Sequence, residues 1–403
     1  VYLIVVVLLL KDLTASGFLL GLYQFLALMP AALLLPVSGA LVDRLSRRAI
    51  VVGADLFRGL IMVALAILWL TPSLASPAPL LVVAFLMGAG NALFVPAVQA
   101  LIPEIVEEGW LEHANGLRAA PNQLSHLTGN ALGGAAYALL VAPVIFFING
   151  VSFLLSAAQE WAIHLPGESR KRAVHPNLLA ASREGLRLAA GNRELRRLIL
   201  SQVALFVISP PVVLSLPFLV EDRLGQPDWI VGLIFATMLA GAVGAFLFLS
   251  RWRGAAGPPA PGELGSPESR DMGSAAPSAA RSDSRRMSTP ERVTAAYGFM
   301  GAALIAVPLF PTLFTLFLAA GSAGGAAGVV YIEVATTLQR LYPREMHGRL
   351  FAIVEAGNAV MAPLAYLASG FLIDLVAPRV ELTYLIAAAP TLLWAAWLWR
   401  TRR

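Results

Sequence analysis

Cysteine is absent from the 403 residues, which removes disulfides, thiolate nucleophiles and cysteine-ligated metals from consideration. Charge is scarce as well. Asp, Glu, Lys and Arg make up 13% of the chain, about half the roughly 25% of a soluble domain, so most of its surface has to face lipid. Lysine is nearly missing, with Lys11 and Lys171 the only two, and no G-x-x-x-x-G-K-[ST] run exists. An ATP-binding loop of that type is therefore excluded. No H-E-x-x-H or G-x-S-x-G run occurs, and histidines number only five, so an intramembrane enzyme is not expected. Neither a cofactor nor a metal is implied.

What remains is apolar: 58% of residues are hydrophobic. A helix needs about 20 apolar residues to cross the hydrocarbon core, and eleven runs of that kind follow one another between Gly17 and Trp399. The run Val1–Leu10 covers about half a bilayer and reads as the end of a further helix, giving an intended count of twelve. The expected fold is an all-α polytopic membrane protein of two six-helix bundles, with the first helix truncated. The expected division is an N-terminal bundle over 1–165, a basic linker with an amphipathic helix over 166–196, and a C-terminal bundle over 197–403. The stretch 254–290, rich in Gly, Ala, Pro and Ser, reads as a disordered insertion.

Arginine gives the orientation. Arg44, Arg47 and Arg48, the linker, the 254–290 stretch, Arg340, Arg344 and Arg349, and the C-terminal arginines all fall on alternate loops. The intervening loops carry only Lys11, Arg223 and Arg379. By the positive-inside rule both termini face the cytoplasm, as a multi-pass protein of the plasma (inner) membrane. The basic residues spread along one membrane face, so nucleic acid is not an expected partner.

Three segments carry a resemblance. Gly39-Ala-Leu-Val-Asp43-Arg44-Leu-Ser46-Arg47-Arg48 resembles the signature between helices two and three of the major facilitator superfamily, with Ser46 where the family usually has glycine. An ordinary positive-inside loop is the plainer alternative. Gly129-Asn130-Ala-Leu-Gly133-Gly134 is similar to the antiporter-associated G-P-x-x-G-G pattern, with Asn130 in the proline's place, or else is generic small-residue packing. Gln339-Arg-Leu-Tyr-Pro343-Arg344-Glu345-Met-His-Gly348-Arg349 resembles the drug and siderophore efflux branch, the enterobactin-exporter-like and macrolide-efflux-like proteins. Gln99, Leu101 and Pro103 recur at one offset as Gln339, Leu341 and Pro343, which fits a six-plus-six repeat.

The resemblance implies a secondary transporter that exports an amphipathic small molecule by proton-coupled alternating access, working as a monomer. A lipid or lysophospholipid flippase and a non-transporting membrane sensor are the competing readings. Ionisable residues inside spans are costly and mark function by default. Glu333, with no obvious local partner, and Glu355 are the coupling candidates, although either could bind an arginine of the rim. Asp55 and Arg58, three residues apart, are coupling candidates too, or else a self-neutralising pair supporting the Asp43–Arg44 network. Gln24, Asn91, Gln123, His126, Asn149 and Asn358 could line a central cavity or act as interhelical glue.

Overall fold

A computed structural model describes residues 2–106, 110, 129, 132–163, 191, 193–254, 288–341 and 344–401. The described residues form helices joined by short turns: α1 (Tyr2–Thr14), α2 (Gly17–Arg44), α3 (Arg47–Trp69), α4 (Pro77–Ile105), α5 (132–139), α6 (Ala142–Ala162), α7 (Arg193–Phe218), α8 (Trp229–Gly254), α9 (Thr289–Leu309), α10 (Leu313–Leu341), α11 (Arg344–Val376) and α12 (Leu382–Arg400). Ten of them are long and apolar enough to span a membrane. Most of the expected span 117–140 lies outside the described residues. So do residues 164–190 of the linker and 255–287 of the insertion, and with them the amphipathic helix and the disorder expected there.

Local chemistry sets the boundaries. Ser46 is the N-cap of α3, its Oγ accepting from the Ala49 N–H at 3.1 Å. The departure from the signature at that position therefore has a use: the backbone there is extended, and a capping hydroxyl serves better than a bare glycine. Glu291 accepts from the Ser288 N–H at 2.8 Å and starts α9.

Packing in the first half is repeated in the second. α2 packs on α4, α3 on α6 and α3 on α4, matched by α8 on α10, α9 on α12 and α9 on α10. Lipid gives helices no hydrophobic reason to associate, so close approach through small residues takes over. A Cβ on Gly59 of α3 would meet Leu154 of α6 at 2.7 Å, and one on Gly301 of α9 would meet Leu392 of α12 at 2.5 Å. The halves meet along two seams. One is α2 against α11. The other is α5 against α8, where a Cβ on Gly134 would lie 3.0 Å from the Trp229 Cα. Of the antiporter-like glycines, Gly133 is buried and Gly129 half-buried, and Gly134 makes this cross-half approach.

Candidate functional site

A cavity of about 350 Å³ lies between the halves, walled by α1, α2, α7, α8, α10 and α11. Among the described residues, no charged one lines it. Its polar side chains are Gln24, Gln202, Ser209 and Tyr366. Gln24 of α2 and Tyr366 of α11 bring polar groups to the wall from the two halves. Of the residues expected to line a cavity, Gln24 alone does so among the described ones. Asn91 is exposed on α4, Asn149 half-buried on α6, and Asn358 buried on α11, none of them on the cavity wall. Gln123 and His126 lie outside the described residues.

Beyond the cavity, at the end where α1 turns into α2, the seam is shut. A Cβ on Gly21 would sit 2.5 Å from the Tyr366 carbonyl oxygen, and one on Gly370 would sit 2.9 Å from the Gly21 Cα. Only glycine allows this backbone contact. Asp374 of α11 then accepts from three donors at the start of α2: Gly17 N–H at 2.6 Å, Phe18 N–H at 3.0 Å and Ser16 Oγ at 3.1 Å. A carboxylate at a helix N-terminus is favoured by the dipole and by the free N–H groups there. Ala15, in the turn itself, has φ +48, a left-handed conformation that costs a non-glycine residue about 1–2 kcal/mol.

A charge cluster completes this closure. Lys11, 5% exposed, pairs with Glu221 and, at 2.9 Å, with Asp222, both just past the end of α7. The carboxylates of Asp12, Glu221 and Asp228 lie within 4.8 Å of one another, and the Tyr137 hydroxyl donates to Asp12. Three acids so close could hold a cation, but Lys11 already brings positive charge. Burial and the neighbouring Asp12 carboxylate push the Asp228 carboxyl above the ordinary carboxylate range.

At the arginine-rich end, α2 carries Gly39, Asp43 and Arg44 in its last turns, the side chains of the latter two lying outside the described set. Arg47 donates to the Ala100 carbonyl of α4 at 2.8 Å, and the Arg48 guanidinium lies over the Trp161 ring of α6 at 5.4 Å. These two arginines bind α3 to α4 and α6 within the first half.

The ionisable residues inside spans divide into three kinds. Asp55 and Arg58 are 2% and 6% exposed and pair directly. Arg58 is also held between Phe94 of α4 and Phe153 of α6, at 4.2 and 4.7 Å from the ring centres. Glu333, which has no local partner in sequence, has one in space: Arg292 of α9 reaches its two oxygens at 2.7 and 3.1 Å, and the carboxylate is 1% exposed. Glu355 differs from both. It is exposed, and no hydrogen bond or ion pair among the described residues engages it. It shares the face of α11 that carries Tyr366 and Ile373, by helical spacing, so it points between the halves rather than into lipid.

Sequence reasoning passed over Gln202, the Lys11 cluster and Asp374. A polar residue in an apolar span, Gln202 carried the same signal as Gln24. Charges flanking spans look like ordinary loop charges until the two halves are brought together.

The comparisons agree with this architecture. The family model described as a transmembrane secretion effector matches residues 4–258. Macrolide efflux protein A of Streptococcus pyogenes is 24% identical over 53% of this chain and 53% of its own length. The multidrug efflux pump Tap of Mycolicibacterium fortuitum is 24% identical over 89% of this chain and 80% of its own. The chain thus spans about half the length of the macrolide efflux protein it matches. Among solved structures, a single-site mutant of the nucleoside transporter NupG superposes with a TM-score of 0.67, covering 100% of this chain and 95% of that one at 11% identity, a likeness of fold. With the family model covering well over half its residues, and two six-helix halves meeting over an uncharged cavity, the chain belongs to the transmembrane secretion effector family of the major facilitator superfamily.

Proposed function

We propose that the protein exports an amphipathic small molecule from the cytoplasm by proton-coupled alternating access. The observation that carries this reading is the uncharged cavity between the halves, closed off at one end by a latch that spans both halves. Such a cavity suits a mostly apolar ligand, and the relatives named for macrolide and multidrug efflux point the same way. The arginine-rich end faces the cytoplasm under the positive-inside rule, so the closed end faces outward. The halves rock about the α2–α11 and α5–α8 seams.

Glu355 is the proton carrier in this reading. It is unpartnered, faces the space between the halves, and lies about 16 Å along α11 from the cavity residue Tyr366, at 1.5 Å per residue. Glu333 is a structural ion-pair member. Its buried carboxylate is held by Arg292 across α9 and α10, and removing either partner would leave the other unpaired.

The test uses inverted proteoliposomes with an imposed pH gradient and fluorescent dyes as cargo. Wild type accumulates dye only with the gradient. Glu355→Gln binds dye but loses gradient-driven uptake, at least ~30-fold below wild type, within the effect of a lost proton-transfer group. Glu333→Gln instead lowers the thermal midpoint. Uptake indifferent to the gradient, or unchanged in Glu355→Gln, would sink the proton assignment.

A further inference from the structure

Gln202 sits in the third turn of α7 and is 7% exposed, yet its amide makes no hydrogen bond among the described residues, and its Oε1 is buried without a partner. Buried polar groups nearly always find partners, and an exception needs a reason. The residue beside it supplies part of one. Ser201 is bound on the opposite side: its Oγ donates to the Arg197 carbonyl at 2.8 Å and accepts from the Trp394 indole at 3.1 Å, and its carbonyl accepts from Tyr297 at 2.5 Å. Those bonds fix the turn against α9 and α12 and leave Gln202 directed into the cavity, whose wall it forms.

The same face of α7 carries Phe206, Ser209 and Val213, at spacings of four, seven and eleven residues. Pro210 and Pro217 also line the cavity, and neither has an N–H to give to the carbonyls of Phe206 and Val213, four residues earlier. α7 therefore lays a strip of hydrogen-bonding groups rich in acceptors along an otherwise apolar wall. The other amide of the cavity, Gln24, has no buried atom left without a partner.

We propose that Gln202 is the specificity-determining anchor of the cavity, hydrogen-bonding an N–H or O–H donor on an otherwise apolar ligand. This rests on reading the cavity as the transport site. The lining offers no cation, so a carboxylate-bearing ligand would enter without a counter-charge, at a cost no hydrogen bond here offsets. Anionic siderophores are disfavoured cargo on this ground, and a localised cation fares no better because no carboxylate lines the wall either. Neutral donor-bearing molecules, or ions whose charge is spread over an aromatic framework, are favoured. Gln202 is thus held in place with hydrogen-bonding capacity that its neighbours do not use.

A matched dye pair tests this. Rhodamine 6G carries N–H donors on its two nitrogens; rhodamine B ethyl ester is a cation of similar shape whose nitrogens are fully alkylated. Equilibrium binding to the purified full chain is followed by fluorescence anisotropy for wild type, Gln202→Leu, Gln202→Met and Gln24→Leu, with thermal midpoints measured alongside. Wild type should bind rhodamine 6G about tenfold more tightly than the ester, a difference of about 1.4 kcal/mol. Both Gln202 variants should bring that ratio to about one through weaker rhodamine 6G binding alone, while keeping or raising the thermal midpoint. Gln24→Leu should preserve the ratio. The proposal is overturned if the preference survives in both Gln202 variants, if both dyes weaken equally, or if wild type binds the two alike or binds neither. Because binding needs no pump, a Gln202-dependent preference in a protein that transports neither dye would refute export and leave the anchor standing.

Discussion

At the Lys11 end of the seam, α2 and α11 touch backbone to backbone through Gly21 and Gly370, while toward the arginine-rich end the same face of α11 carries the exposed Glu355. One helix face thus holds a tight contact at one end and an exposed carboxylate at the other. The locked end is built from contacts that tolerate no slack: glycine against glycine, a carboxylate on the first N–H groups of a helix, and a buried lysine between two acids. The other end carries an exposed carboxylate, Glu355, with no such set of fixed contacts among the described residues. On the proposed function, such a seam would divide labour, with closure at one end and proton sensing at the other.

That division can be broken at three points on the locked end. The absence of cysteine makes an introduced thiol a clean reporter, and Ile373→Cys places one at a 1% exposed position of α11 on the seam. Adding Gly370→Val should have the largest effect, because its side chain would collide with the α2 backbone, with no flexible neighbour to yield. Overpacking of this kind costs about 3 kcal/mol, so maleimide labelling of the reporter should accelerate about 100-fold. An unchanged rate would show that the glycine contact does not hold the end closed.

Lys11→Met should come next. It leaves Glu221, Asp222, Asp12 and Asp228 to repel one another with no cation among them. Because Glu221 and Asp222 are about half exposed, solvent screens much of this, and the loss should be about 1–2 kcal/mol. Labelling should rise roughly tenfold, and the effect should shrink with added salt. Asp228→Asn should be the smallest, and opposite in sign. A carboxyl whose pKa is raised in the folded, closed form binds its proton more readily there than when released. Wild-type stability should therefore rise as pH falls through that raised pKa and decline again above it. Asp228→Asn should flatten this slope and raise the thermal midpoint slightly at neutral pH. A slope that persists in the variant would place the titration elsewhere.

The fold was legible because runs of about 20 apolar residues leave the backbone no alternative to a helix in lipid. The Asp55–Arg58 pair was legible too, since three residues on one helix fix its geometry. Glu333 was not. Its partner Arg292 is on α9, 41 residues earlier, and no periodicity within either run announces that the two helices pack side by side. Glu333 and Glu355 look alike as acids in apolar runs, and only packing separates the paired one from the free one. The closure at Lys11 and Asp374 depends on helices more than 200 and 350 residues apart in the chain, a juxtaposition that exists only once the halves have docked.

The turn at Ala15 adds a mechanical consequence. Its left-handed backbone is held in place by the neighbouring bonds to Asp374, which belongs to the other half. If the halves part as proposed, the turn keeps its bond to the Lys11 carbonyl but loses the neighbouring bonds to Asp374, and can relax, returning part of the energy spent on separating the halves. On that reading the hinge behaves like a cocked spring, set on closing and discharged on opening. Replacing Ala15 with glycine would unload it and lengthen the time this end of the seam stays shut.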